Sequence, residues 1–194
     1  LLVGERGVGK ESIVEALAWD SFHGKLSGKL NHKRLITLMV GPLLAGADNR
    51  SELESRLQAI IAELSHAGNI ILYIPEIQEI MGESSYDLNL SGALLPYLKD
   101  GSLPIIASLT KGNYKTYMEK NGLKEVFSVI TIEEPEIPVV KMMLYKKISE
   151  IEQTTGVFFS YAAVMKALDM APTYLPDDVM PGSVIHLLTD AAQR

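Results

Sequence analysis

The sequence predicts an α/β fold: a parallel sheet sandwiched by helices, followed by a small all-helical part. Three observations predict it. Short apolar runs alternate with stretches of helical spacing up to Ile132. A glycine-rich loop ending in lysine, Gly4-Glu5-Arg6-Gly7-Val8-Gly9-Lys10-Glu11, joins the first apolar run to the first helical one. The prolines Pro135 and Pro138 then interrupt any regular element, and beyond them only helical spacing appears.

Taken in order, Leu1 to Val3 reads as the end of a buried strand and Ser12 to Phe22 as the helix after the loop. A polar link, His23 to His32, leads to Arg34–Val40, whose apolar run suits a strand buried on both faces. Ser51 is placed to cap a helix that brings Leu53, Leu57, Ile60, Ile61 and Leu64 onto one face and ends at Gly68-Asn69. Ile70–Ile74 and Leu103–Leu109 are buried strands separated by a helix from Asn89 to Lys99. A helix from Asn113 to Lys120 and a strand from Val126 to Ile132 complete the α/β part. The later helices span Val139–Gln153, Ser160–Ala171 and Gly182–Gln193. The domain boundary falls after Glu134, giving a large part over 1–134 and a small helical part over 135–194. Within the small part, Met142, Met143, Tyr145, Phe158, Phe159 and Tyr161 are expected to pack in the core, with a subunit contact as the alternative, and Trp19 on the first helix is also expected to pack.

With 194 residues, 47% of them hydrophobic, the chain can bury a substantial core. Its net charge of −6, with no basic cluster, argues against nucleic acid or an anionic membrane as partner. The absence of cysteine excludes disulfides and thiolate metal sites. No apolar run has the length of a membrane span and no signal-type segment is visible, so a cytoplasmic location is expected. The opening leucines, already inside a strand, predict a piece of a longer protein.

The loop carries the chemistry. In G-x-x-x-x-G-K-[ST], glycines let the backbone curl so that N–H groups and a helix N-terminus face phosphate oxygens, and the lysine reaches the terminal phosphates. Gly4, Glu5, Arg6, Gly7, Val8, Gly9, Lys10, Glu11 and Ser12 are therefore the candidate cofactor-binding residues. Where a Ser/Thr hydroxyl would meet magnesium stands Glu11, which either binds the metal in a non-standard way or repels the phosphates. A second metal-side aspartate is expected at the end of a neighbouring strand, but Ile70–Ile74 runs into Pro75-Glu76. Both usual protein contacts to magnesium are thus missing. Glu76 remains a candidate water-activating carboxylate, against the plainer reading of a solvated acid at a strand end. His23, His32, His66 and His186 are scattered without ligand-like spacing, so no metal site is assigned.

The loop, the strand ending in Pro75-Glu76, the proline boundary and the helical tail occur in an order that resembles the first AAA+ module of the Clp chaperone-unfoldase family. Further echoes are Leu43–Leu57, Leu94–Leu103, Tyr114–Lys120, Glu134-Pro135 and Tyr174–Ala192, so the resemblance runs nearly end to end. It implies a P-loop NTPase-like sheet with a helical lid, ATP or ADP as ligand, and hexamers with other AAA+ subunits, with a protease or co-chaperone as a further partner.

The departures fall on positions that work in the family. The pore-loop place reads Asp48-Asn49-Arg50-Ser51 and has no aromatic residue. The place of a trans-acting arginine pair reads Lys124-Glu125, one residue shorter. The polar sensor after the fourth strand falls on Leu109 or Thr110, of which only Thr110 can orient a water. The basic sensor of the last helix falls near Gly182-Ser183. The expected function is a Clp-type module that binds ATP or ADP with weak or lost hydrolysis and serves ring assembly or regulation. Its alternatives are an active ATPase with a metal site rebuilt from Glu11 and Glu76, or a nucleotide-free docking scaffold; an isolated fragment lacking the trans arginine is expected to be monomeric. Adenine-contacting residues are expected before Leu1.

Overall fold

A computed structural model of the chain describes residues 1–44, 50–81, 91–118 and 125–194. The chain divides into two compact units, Leu1–Val3 with Glu11–Ile130 and Gly4–Lys10 with Thr131–Arg194.

The sheet has five strands in the order β2-β3-β4-β1-β5: β1 (Leu2–Val3), β2 (Arg34–Thr37), β3 (Ile70–Ile74), β4 (Ile105–Leu109) and β5 (Ile130–Thr131). β2 pairs with β3, β3 with β4 and β4 with β1, all parallel, with Arg34 opposite Ile70, Leu72 opposite Ile105 and Leu2 opposite Ser108. Parallel pairing demands crossover connections, supplied by the helices α1 (Lys10–Phe22), α2 (Val40–Leu44), α3 (Arg50–Ala67), α4 (Ser91–Asp100) and α5 (Lys111–Asn113). α5 continues into a wide helical turn, Tyr114–Met118. Every residue of β3 is buried, as its unbroken apolar run requires. α3 lays Leu53, Leu57 and Ile61 into that core at fourfold spacing.

Several expected bounds shift, for identifiable reasons. β2 stops at Thr37 and is only half covered because it is an edge strand, not one buried on both faces. Val40 and Leu43, which extend its apolar run, are the buried face of α2 instead. Ser51 lies within the first turn of α3 rather than ahead of it. β5 is two residues long at the other edge, tied by the Ile130 N–H donating to Leu1 O at 2.8 Å, while Phe127 turns into the core. α1 begins at Lys10, so the phosphate loop runs into it without a spacer.

In the second unit, α6 (Ile137–Thr155), α7 (Tyr161–Tyr174) and α8 (Gly182–Gln193) enclose a core of Val140, Leu144, Ala167, Leu168, Ala171, Met180, Val184 and Leu188. α6 carries Pro138 in its first turn and is capped after Thr155 by Gly156 in the left-handed region. Ser160 caps α7, its Oγ accepting from Ala163 N at 3.2 Å. Val140, Leu144 and Ile151 define the buried stripe of α6, which leaves Met142, Met143 and Tyr145 on its outer faces. Phe158 and Tyr161 are exposed as well, and only Phe159 of the expected aromatic pair packs against the core. Trp19 is likewise exposed, its ring resting on His23 with centroids 4.0 Å apart. No helix among the described residues is long and apolar enough to cross a membrane.

Burial of Leu57 with no exposure predicts that Leu57→Ala costs about 2–5 kcal/mol in urea denaturation, by lost transfer energy plus a cavity. Met142→Ala, on the outer face of α6, should stay within about 0.5 kcal/mol of the parent.

Candidate functional site

The loop that follows β1 reverses direction through two residues in the left-handed region, Gly7 at φ 84° and Gly9 at φ 99°, where a side chain would be strained. Lys10, the first residue of α1, folds back over the loop. Its Nζ donates to Gly4 O at 2.8 Å and Glu5 O at 2.9 Å, and the residue is only 8% exposed. A buried ammonium needs such partners. Val8 N closes the loop weakly on Glu5 O at 3.4 Å.

The outer limb of the loop is tied to the segment leading into α8. Val179 N donates to Arg6 O at 2.8 Å and Gly182 N to Gly7 O at 2.9 Å. Arg6 Nε lies 3.9 Å from Asp178 Oδ1, and Asp178 Oδ2 lies 3.7 Å from His186 Nδ1. The same segment is held from below by Met180 N donating to Glu134 Oε1 at 2.9 Å. The predicted loop residues Gly4 to Lys10 thus form one continuous cradle of curled backbone, lysine and helix start, which fits an anion of phosphate type.

The two usual magnesium ligands, a Ser/Thr at position 11 and an Asp at position 75, are replaced in this chain. Glu11 and Ser12 are exposed on the first turn of α1 and position 75 is a proline. Among the described residues no group of three His, Cys, Asp or Glu is placed to hold a metal.

Glu76 follows β3 in the left-handed region, φ 50° and ψ 50°, which is costly for a residue with a side chain. The fully buried Ile77 and Ile80 impose the turn, and the Glu76 carboxylate accepts from Gln78 Nε2. It is a half-buried, oriented acid. Leu109 is fully buried, so of the two sensor positions only Thr110 presents a polar atom. Its Oγ1 accepts from Asn113 N at 3.2 Å and caps α5. Asp48 and Asn49 of the pore-loop position and Lys124 of the arginine position lie outside the described residues.

Sequence reasoning missed a buried hydroxyl pair. Tyr73 of β3 and Ser108 of β4 stand 3.0 Å apart, oxygen to oxygen, the residues 4% and 2% exposed. Burial raises the Tyr73 pKa above its ordinary value near 10, the Ser108 hydrogen bond opposes this, and the charges of Glu11, Glu76 and Glu15 push it further up. Glu11 and Glu15 on α1 and Glu76 after β3 therefore bear on one phenol. The signal was legible: each is the polar member of an apolar strand.

Because folding raises the Tyr73 pKa, its neutral form stabilises the fold fully below about pH 10, and this contribution is lost as pH rises through the higher folded value. Tyr73→Phe should cost about 1–3 kcal/mol at pH 7, leaving the Ser108 hydroxyl without its partner. Urea denaturation across pH 8–11 checks both points: the gap between parent and variant should narrow above about pH 10.

The model of the family described as "ATPase family associated with various cellular activities (AAA)" matches residues 1–136. Chaperone protein ClpB of Rhodopseudomonas palustris is 34% identical over 198 residues, covering 100% of this chain and 22% of its own length. ClpB of Helicobacter hepaticus is 35% identical over 195 residues, covering 99% of this chain and 23% of its own. The chain therefore spans under a quarter of the length of these relatives. A Hsp104 complex with ADP from S. cerevisiae superposes with a TM-score of 0.85 at 28% identity, over 99% of this chain and 27% of that one. A closed-state Hsp104 reconstruction with ATPγS and FITC-casein gives 0.83 at 28% identity, over 98% and 34%.

Proposed function

The chain belongs to the AAA family of ATPases, as a module of the Clp type, and from that membership we propose that it binds ATP or ADP through the loop Gly4–Lys10 and hydrolyses it weakly or not at all. The observation that carries the reading is the intact cradle, two left-handed glycines and a buried lysine at a helix start, beside missing metal ligands. Two solved relatives are described as Hsp104 complexes, with ADP and with ATPγS and casein, which supports an adenine nucleotide as the ligand.

Bound nucleotide supplies the phosphate oxygens, and the chain's own groups do the rest. Lys10 exchanges the Gly4 and Glu5 carbonyls for phosphate as partner, so its charge is held ready without being left bare. Gly7, Val8 and Gly9 offer backbone N–H groups, and the start of α1 adds its partial positive charge. Glu11 works against this, since a carboxylate on the first turn of α1 competes with the phosphates for the same positive helix end. Glu76 and Thr110 are the remaining catalytic candidates, in the water-activating and water-orienting roles.

The module then serves ring assembly or regulation within a larger Clp-type chaperone, beside other AAA+ subunits and with a protease or co-chaperone as further partner. Residues 1–134 act as the nucleotide-binding part and 135–194 as the lid. Nucleic acid and membrane are not partners in this reading, in keeping with the net charge of −6.

Calorimetric titration of ADP and ATP, with and without magnesium, tests the proposal. Binding should be abolished by Lys10→Ala and should change little with magnesium in the parent. Glu11→Thr should tighten binding and make it respond to magnesium. A parent protein that binds neither nucleotide would be a docking scaffold, and one that turns over ATP with loss on Glu76→Gln would be an active enzyme; either result overturns the reading.

A further inference from the structure

The segment entering α8 touches the phosphate loop through backbone alone at its closest point. A Cβ placed on Gly182 would overlap Gly7 Cα and lie 2.6 Å from Gly7 O. A Cβ on Gly7 would come to 2.5 Å from Val179 O. Two glycines face each other because neither position has space for a side chain, and the approach allows the hydrogen bonds Val179 N to Arg6 O and Gly182 N to Gly7 O.

Those bonds fix orientation as well as distance. In a trans peptide the C=O of one residue and the N–H of the next point in opposite directions. With Arg6 O drawn toward Val179, the Gly7 N–H must face away from the α8 segment. With Gly7 O drawn toward Gly182, the Val8 N–H must do the same, as its weak closure on Glu5 O inside the loop shows. Both N–H groups are thereby aimed to the inner side of the loop, where Lys10 Nζ also sits on the carbonyls of Gly4 and Glu5.

We propose that Val179 and Gly182 are positioning residues for the phosphate loop: their backbone N–H groups hold the Arg6–Gly7 and Gly7–Val8 peptides in the orientation that accepts an anion, and glycine at 182 is required for that hold. The proposal rests on the nucleotide reading for its ligand but not for its geometry. The lid segment then does by backbone contact what a charged side chain could not do at this crossing, since no side chain fits there. Gly182→Ala forces the segment off Gly7, breaks both hydrogen bonds and lets the two peptides rotate.

Hydrogen exchange of the 194-residue chain without ligand, followed by ADP titration, tests this. In the parent, the Val179 and Gly182 amides should be protected; in Gly182→Ala, the Val179 amide should exchange at least about tenfold faster, with ADP affinity falling about tenfold, the size of one or two lost hydrogen bonds. Circular dichroism of the variant confirms that the helices remain. Parent amides at 179 and 182 exchanging as freely as an open loop would overturn the hold without any variant. An ADP affinity unchanged by Gly182→Ala, with Val179 deprotected, would overturn the positioning role. Absence of ADP binding in the parent defeats the nucleotide reading separately, and inorganic phosphate titrated into both proteins then decides the positioning role: equal affinity, or none in either, overturns it.

Discussion

A loop that presents consecutive N–H groups to one side must dispose of its carbonyls on the other, and this constraint organises the second unit. Every peptide group that turns its donor toward an anion turns its acceptor the opposite way, where an unmet carbonyl would cost about as much as a lost hydrogen bond. Here the four carbonyls from Gly4 to Gly7 divide into two sets. Arg6 O and Gly7 O, the acceptors of the two peptides whose donors face inward, take the backbone of the segment entering α8, whereas Gly4 O and Glu5 O, on the inner side, take Lys10 Nζ. The loop is satisfied on both limbs, which explains how so glycine-rich a stretch keeps a defined shape.

The close crossing has a consequence for the last helix. Polar chemistry at its start is confined to what the backbone can offer, because a Cβ at 182 has no space and Ser183 is itself buried. A basic residue at 182 would require the crossing to open. Arg6, exposed and paired at 3.9 Å with Asp178, adds a screened surface contact and little energy.

Much of this was legible in residue order. The apolar run Ile70–Ile74 could only be a buried strand, and Leu53, Leu57 and Ile61 could only be one helical face; both stand where their spacing put them. Helical spacing places helices of the second unit at Val139–Gln153 and Ser160–Ala171, and α6 and α7 stand there with ends moved by one to three residues. What failed to show depended on neighbours distant in sequence. Edge position shortened β2 and β5, a fact that apolar periodicity does not encode. The outward Met142 and Tyr145 look like core residues until the stripe of Val140, Leu144 and Ile151 is fixed. At the site, the glycines and the lysine declared a phosphate loop. The partner for its outer carbonyls lies more than 170 residues away and bears no side-chain signature, because the contact is backbone to backbone.

The electrostatics of the first unit point the same way as the loss of metal ligands. Burial is the main cause that raises the Tyr73 pKa, and Glu11, Glu76 and Glu15 add to it in the same direction, so three acids bear on one neutral phenol. A hydrolytic site spends positive charge on a transferring phosphoryl group and needs that charge to exceed what its carboxylates supply. The three acids that bear on Tyr73 supply no positive charge of that kind. Glu76 can still orient a water, being held by Gln78 and by an enforced backbone turn. Orienting a nucleophile is of use only where the leaving phosphates are also stabilised, and proline at 75 with glutamate at 11 removes the two side chains that would bring a metal there. The proposed reading of this module, anion binding with weakened transfer, agrees with such a distribution of charge.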